Sequence, residues 1–268
     1  MVITSSQNPR VKQLVKLRDK RSRDKTGLFL IEGFREILRA AQADRKIDEL
    51  YYCPSLFLGE NEDKILAHLK EKGTELVECT KAVFQKISYR DRPDGLLAVA
   101  PKLHASLADL EKRLEGKKYP FLVVAESVEK PGNLGTMLRT CDAVGVDAMI
   151  VADPRTDIHN PNVVRASVGT LFTVPTFEVT SDELIPWLKE KNIPIIATTP
   201  EAETFYSEMN LRIPLALAFG TEQLGLTDQW LDAADIQVSI PMVGLADSLN
   251  VAISSAVLLY EVFRNREM

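Results

Sequence analysis

Residues 239–263, SIPMVGLADSLNVAISSAVLLYEVF, read as the end of a strand, a short loop and a helix. Val238 and Ile240 alternate with polar neighbours, as at a strand edge. Pro241 and Gly244 stop that strand and let the backbone turn. Asp247 and Ser248 are N-cap residue types, and Leu249, Ile253, Val257 and Tyr260 follow at near-helical spacing. Ser248 and Asn250 are therefore expected at a helix N-terminus, among backbone N–H groups that can hold an anion or a polar ligand atom. A core helix that Ser248 merely caps, with Asn250 in solvent, accounts for the same residues.

Upstream, short apolar runs alternate with helical stretches. The expected strands are Phe121–Ala125, Ala148–Val151, Thr173–Phe177, Ile195–Thr198, Leu215–Phe219 and Ile236–Ile240. The expected helices lie at 134–144, 162–168, 184–191 and 228–233. This alternation predicts a mainly parallel α/β sheet, in which ligands lie outside the carboxyl ends of the strands. Two further loops stand at such ends. In residues 129–140, EKPGNLGTMLRT, Pro131 and Gly132 turn the chain and Asn133 can cap; Asn133 and Arg139 can face one site if the loop folds back. An exposed arginine on a capped helix is the plainer account. In residues 217–226, LAFGTEQLGL, the spacing of Gly220 and Gly225 suits a phosphate loop, but Leu226-Thr227 stands where Lys-Ser/Thr is required, so a P-loop is rejected. No G-x-G occurs, which removes a dinucleotide fingerprint. A glycine turn that lets backbone approach a ligand, with Glu222 beside it, remains.

The bulk properties divide the chain. Net charge is −5, yet residues 1–118 carry 24 Lys+Arg against 18 Asp+Glu and residues 119–268 carry 9 against 20. Opposite signs suggest two modules, the first meeting a polyanion. Arg10, Lys12, Lys16, Arg21 and Arg23 belong to a basic run on a helical face that gives way near Arg18 to a turn ending at Gly27; a phosphate grip and a solvated face both fit it. Glu32 with Arg35 and Arg39 fits an RNA contact or helix-surface pairs, of which the pairs are expected. The following pattern, with strands at 28–31, 50–53, 75–79 and 96–100 and helices at 34–43, 63–70 and 82–87, indicates a small α/β/α sandwich. Leu103, Leu107, Leu110 and Leu114 suggest a short helix within a polar connector. The division expected is 1–104, a linker at 105–118, and 119–268. Three separated cysteines, no apolar leader and no long apolar span fit a reduced cytoplasmic chain. Three histidines without paired cysteines offer no metal site.

The three loops, in this order, resemble the signature motifs of the SpoU/TrmH family of RNA ribose 2′-O-methyltransferases, of the SPOUT class. The stretch from Ile3 through Asn8, Val11-Lys12 and Phe29 to Glu32-Gly33, with Arg92-Pro93-Asp94-Gly95, is similar to the substrate-binding domain that many of these enzymes carry first. The resemblance covers nearly the whole chain. It implies a trefoil-knotted catalytic domain, a homodimer, and S-adenosylmethionine as donor to a ribose 2′-hydroxyl, in ribosomal rather than transfer RNA. Asn133, Arg139, Glu222, Ser248 and Asn250 take the family's catalytic positions. Thr198, Thr199, Gly220, Ile240, Met242 and Leu249 are expected to hold the cofactor, mainly through backbone groups. A transfer RNA methyltransferase, a non-enzymatic RNA-binding protein and an α/β enzyme acting on a small nucleotide are the competing readings.

Overall fold

In the computed structural model, which describes residues 2–267, the first unit takes the residues up to Leu103 together with Asp157–Thr173. Its elements are β1 (Val2–Ile3), α1 (Pro9–Lys16), α2 (Lys20–Thr26), β2 (Leu28–Glu32), α3 (Phe34–Gln42), β3 (Glu49–Tyr52), α4 (Glu62–Glu71), β4 (Glu75–Cys79), α5 (Lys81–Ile87) and β5 (Leu96–Pro101), with a later helix at Pro161–Ala166. The strands form a mixed sheet of order β1-β4-β3-β5-β2, in which β2 and β3 run antiparallel to β5. Alternation along β2 separates its two faces. Leu30 packs with Val11, Leu14, Phe84 and Ile87 of α1 and α5. Phe29, on the other face, meets His159 edge-on at 4.8 Å and Phe172 at 6.3 Å. Both faces are covered, so the α/β/α layering expected from the residues forms, but one layer is completed by a segment more than a hundred positions away.

Arg23 explains two departures from the sequence reading. The basic run after Arg18 is a second helix, α2, closed by Gly27 in the left-handed region at φ 68°, where a turn was expected. Arg23 on that helix is 1% exposed. Its guanidinium donates to the Leu17 and Arg18 carbonyls at 2.9 and 2.6 Å and forks onto Asp157 at 3.3 and 2.7 Å. It ties α2 to the end of α1 and to the inserted segment, and is therefore removed from the residues expected to grip RNA. Arg10 is half-buried and paired with Glu75 at 2.7 Å, while Lys12, Lys16 and Arg21 are exposed without an ion pair among the described residues. The expected Glu32–Arg35–Arg39 surface pairs do not form. Glu32 is buried and accepts from Ser88 Oγ and the Tyr89 N–H, and Arg39 donates to the Val168 carbonyl.

The second unit takes His104–Thr156 and the residues from Val174 on. It contains α6 (Leu107–Leu114), β6 (Phe121–Glu126), α7 (Pro131–Val144), β7 (Ala148–Ala152), β8 (Thr176–Val179), α9 (Ser181–Glu190), β9 (Ile195–Thr198), β10 (Leu215–Phe219), α10 (Asp228–Ala233), β11 (Ile236–Val238) and α11 (Val251–Glu267), α8 being the Pro161–Ala166 helix of the first unit. All six strands are parallel, in the order β11-β9-β10-β6-β7-β8. Leu122, Val124, Ile150 and Ala218 pack with Leu184, Leu188 and Trp230 of α9 and α10, and with Leu110 of α6. The connector helix thus forms at Leu107, Leu110 and Leu114, with Leu103 outside it. Helices α7 and α11 pack against each other. Trp230 is fully buried and donates from its indole N–H to Ser181 Oγ at 2.8 Å, which satisfies its polar edge.

Several boundaries differ for identifiable reasons. The strand expected at 173–177 starts at Thr176, after Pro175, which has no N–H for a ladder. β11 stops at Val238, two residues short. α7 begins at Pro131, a favoured first helical residue, so Asn133 lies inside the helix and does not cap it. α11 is capped by Asn250, whose Oδ1 accepts from the Ala252 and Ile253 N–H groups at 3.0 and 3.4 Å; Asp247 and Ser248 do not cap. Its buried face carries Val251, Ala252, Ser255, Leu258, Leu259 and Val262. The stripe that predicted the helix is displaced outward: Ile253 and Tyr260 are each 52% exposed. No helix among the described residues is long and apolar enough to cross a membrane.

Candidate active site

Strand order locates the site before any side chain is considered. From β6 the chain steps outward through β7 to β8, then returns to the other side of β6 for β9, β10 and β11. The reversal falls between β6 and β10, and ligands in open parallel sheets bind beyond the strand ends at such a reversal. The loops leaving these two strands carry Glu129-Lys130 and Gly220–Gly225.

Glu222 bridges them. Its carboxylate accepts from the N–H groups of Glu129 and Lys130 at 3.2 and 3.1 Å and from Asn133 Nδ2 at 2.7 Å. Burial alone pushes this carboxyl up, but the Asn133 amide and the two backbone donors outweigh it, and the group is held below its ordinary value. The start of α7 adds a favourable partial positive charge. Asn250 Nδ2 then donates to Asn133 Oδ1 at 3.1 Å. The orientation of each amide is fixed by chemistry. The carboxylate only accepts, so Asn133 must turn its NH2 toward Glu222 and its oxygen toward Asn250. Asn250 must turn its own oxygen toward the N–H groups of α11. Three loops far apart in sequence are therefore joined in one relay, Asn250 to Asn133 to Glu222.

Two predicted catalytic residues stand apart from it. Arg139 is exposed on α7 and forms no hydrogen bond or ion pair among the described residues. The loop does not fold back: Arg139 lies six helical positions beyond Asn133, about 9 Å along the axis and roughly 120° around it. Ser248 is exposed in the loop before α11, also without a partner among the described residues.

The residues expected to hold a cofactor divide similarly. Thr198 and Thr199 are drawn into knitting the strand ends, the Thr198 hydroxyl donating to the Ala218 carbonyl at 2.9 Å and the Thr199 N–H to the Val238 carbonyl at 3.0 Å. The Thr199 hydroxyl donates to the Glu201 carboxylate. Gly220 is glycine because the chain itself approaches it. A Cβ there would lie 2.0 Å from the Gly225 carbonyl carbon, across a bridge in which Thr221 and Gly225 exchange backbone bonds at 2.8 and 3.2 Å. The glycine is thus required by an approach of backbone to backbone within the loop. Ile240, Met242 and Leu249 lie along a different kind of surface. Residues 241–250 are all exposed, and no backbone N–H between 240 and 249 donates a hydrogen bond among the described residues. Unused backbone donors beside apolar side chains suit the edge and faces of an adenine ring, so this segment fits an adenosyl cofactor. The Glu129 and Lys130 amides were not legible as site groups, because backbone donors leave no residue-type signal.

Residues 120–260, just over half the chain, match the model of the SpoU rRNA Methylase family, and residues 8–98 match that of the MRM3-like substrate binding domain. The 23S rRNA (guanosine(2553)-2′-O)-methyltransferase RlmP of Bacillus subtilis (strain 168) is 29% identical over 260 residues, which cover 97% of this chain and 98% of the relative. A crystal structure of an RNA 2′-O ribose methyltransferase superposes with a TM-score of 0.85 at 42% identity, covering 100% of both chains. The AdoMet-bound rRNA methyltransferase from Sinorhizobium meliloti superposes with a TM-score of 0.88 at 29% identity, over 98% of this chain and 97% of that one.

Proposed function

This chain belongs to the SpoU rRNA Methylase family, and from that premise we propose that it methylates a ribose 2′-hydroxyl of ribosomal RNA with S-adenosylmethionine as donor. The observation that carries the proposal is the Asn250–Asn133–Glu222 relay, which gathers the three signature loops at the reversal of a parallel sheet. S-adenosylmethionine supplies an already activated sulfonium methyl, so the protein's part is chiefly to position the reactants. Backbone N–H groups of the 240–249 loop would hold the adenine of the cofactor, with the side chains of Ile240, Met242 and Leu249 beside it. Asn133 and Asn250 hold this loop and the start of α7 at one spacing.

As the oxygen–methyl bond forms and the donor's sulfur–methyl bond breaks, the acceptor hydroxyl would release its proton to water. Guanidinium groups stay protonated at working pH, so Arg139 acts by charge: it clamps a neighbouring phosphate and stabilises the developing alkoxide. Ser248 orients the hydroxyl. The exposure of Arg139 and Ser248 leaves both accessible to an RNA strand.

The enzyme is proposed to be a cytoplasmic homodimer whose knotted domains pack together. Val243 and Leu245 are fully exposed, and with Ile253, Tyr260 and Phe263 they make an apolar surface along the loop and α11 that a second copy would cover. The first unit, residues up to Leu103 with Asp157–Thr173, is the proposed RNA-holding module, and the second unit, on which the connector helix α6 packs, the methyltransferase module. Calorimetric titration with S-adenosylmethionine, followed by transfer of labelled methyl to ribosomal RNA, tests the reading. Saturable binding and transfer that a 2′-deoxy acceptor abolishes are expected. A chain that binds RNA but not the cofactor is a binding protein, and the proposal fails.

A further inference from the structure

We propose that a cavity in the first unit receives one unstacked nucleotide of single-stranded RNA, apart from the basic surface of α1 and α2. The inference depends on the methyltransferase reading only in taking RNA as the partner. The cavity has a volume of about 750 Å³, and Phe34, Arg35, Leu58, Arg90, Arg92 and Arg165 are among its lining residues. That size lies within the range of sites that enclose a small ligand.

The charges on its wall sort into those already engaged and those left available. Arg90 donates to Glu36 Oε1 at 2.6 Å and to the Glu32 carbonyl at 2.8 Å. Asp94 accepts from the Phe34 N–H at 2.8 Å, and Glu62 accepts from the Leu58 and Gly59 N–H groups at 3.2 and 2.8 Å. These contacts hold the wall together: Glu36 and Asp94 share the Arg90 guanidinium, at 2.6 and 3.6 Å, while Glu62 is held by backbone N–H groups. Arg35, Arg92 and Arg165 are exposed, and their side chains have no hydrogen bond or ion pair among the described residues. Against these three cations stands one exposed carboxylate, Asp91.

The three arginines come from the first turn of α3, the loop before β5 and the helix α8, so only the folded unit assembles them. The wall behind them is fixed. Gly33, at φ 112°, lets Arg90 pack onto the start of α3, where a Cβ would lie 2.4 Å from Arg90 Nη2. Guanidinium forks match phosphate oxygens in pairs. Phe34, half-buried, and Leu58, 80% exposed, supply apolar faces for a base. Phosphate and base recognised together are the chemistry of a splayed-out nucleotide.

The test uses the full chain and fluorescence anisotropy, with a short labelled single-stranded RNA of mixed sequence, its duplex, and guanosine 5′-monophosphate as competitor. Single-strand binding should exceed duplex binding. Arg35→Ala, Arg92→Ala and Arg165→Ala should each weaken it several-fold, and the triple variant roughly 30-fold or more at about 0.1 M salt, with the salt slope reduced by about 2. Lys189→Ala, an exposed cation of the second unit, should change nothing, and S-adenosylmethionine affinity and melting temperature should stay at parental values in every variant. A triple variant within about twofold of the parent overturns the proposal, as does equal affinity for duplex. Displacement of the RNA by the mononucleotide at matched phosphate concentration makes the cavity a free-nucleotide site and also overturns it. Because the binding readout needs no cofactor, failure to bind S-adenosylmethionine would defeat the methyltransferase reading while leaving this result interpretable.

Discussion

Replacing Glu222 by glutamine tests whether the relay positions the site. The carboxylate accepts three bonds, from Glu129 N, Lys130 N and Asn133 Nδ2. Glutamine keeps one oxygen, and its NH2 must then face either the Glu129 N–H or the Lys130 N–H and the Asn133 amide together, donor against donor. Bonds to a charged acceptor are worth about 1.5–3 kcal/mol each, and partial exposure of Glu222 reduces that. A net local cost of about 1–3 kcal/mol follows, or roughly one to two decades in the fraction of molecules with the site assembled. Initial-rate methyl transfer to ribosomal RNA should therefore fall about 10- to 100-fold in kcat/KM, while Tm drops by a few degrees at most. Asn133→Ala shares the network, so the double variant should lose less than the sum of the singles, with a coupling of at least about 0.5 kcal/mol. The sign with pH follows from the lowered carboxyl. Its stabilising contribution is full above the ordinary glutamate value and disappears only as pH falls through the lower folded value, so acidification from about pH 8 to 5 should cost this network nothing. Activity of Glu222→Gln within about threefold of parent, or strict additivity with Asn133→Ala, would refute the reasoning.

Three further outcomes are expected. Arg139→Ala should lower methyl transfer about 10²- to 10³-fold with S-adenosylmethionine affinity retained by calorimetry; near-normal turnover removes Arg139 from the mechanism. Arg23→Met leaves Asp157 buried without its cation, and urea unfolding should register a loss of about 3–5 kcal/mol; a loss below about 1 kcal/mol would contradict the anchoring role. Gly220→Ala sets a methyl against the Gly225 backbone, so the Thr221–Gly225 bridge must open. Lower melting temperature and weaker cofactor binding should appear together, and an unchanged Tm would show that the loop is not pinched as described.

The sequence by itself determined the class of fold and the three loops that matter. Continuous apolar runs such as Leu215–Phe219, separated by amphipathic helices, are consistent only with a covered parallel sheet, and the strands at 195–198 and 215–219 form within the bounds read from the residues. Asn133, Glu222 and Asn250 stood out through the resemblance of their loops to the family's signature motifs, since the residue pattern alone allowed capped helices as well. Tertiary structure decided how these residues are used. Asn250 and not Ser248 caps α11, since only Asn250 can satisfy the helix N–H groups and Asn133 with the two ends of one amide. Arg23 is an anchor because Asp157, distant along the chain, lies beside it in the first unit; a basic residue in a run of basic residues gives no sign of which member turns inward. The arginines of the first-unit cavity were invisible as a group for the same reason. Local pattern is set by nearest neighbours along the chain, whereas burial, partners and charge balance are set by neighbours in space.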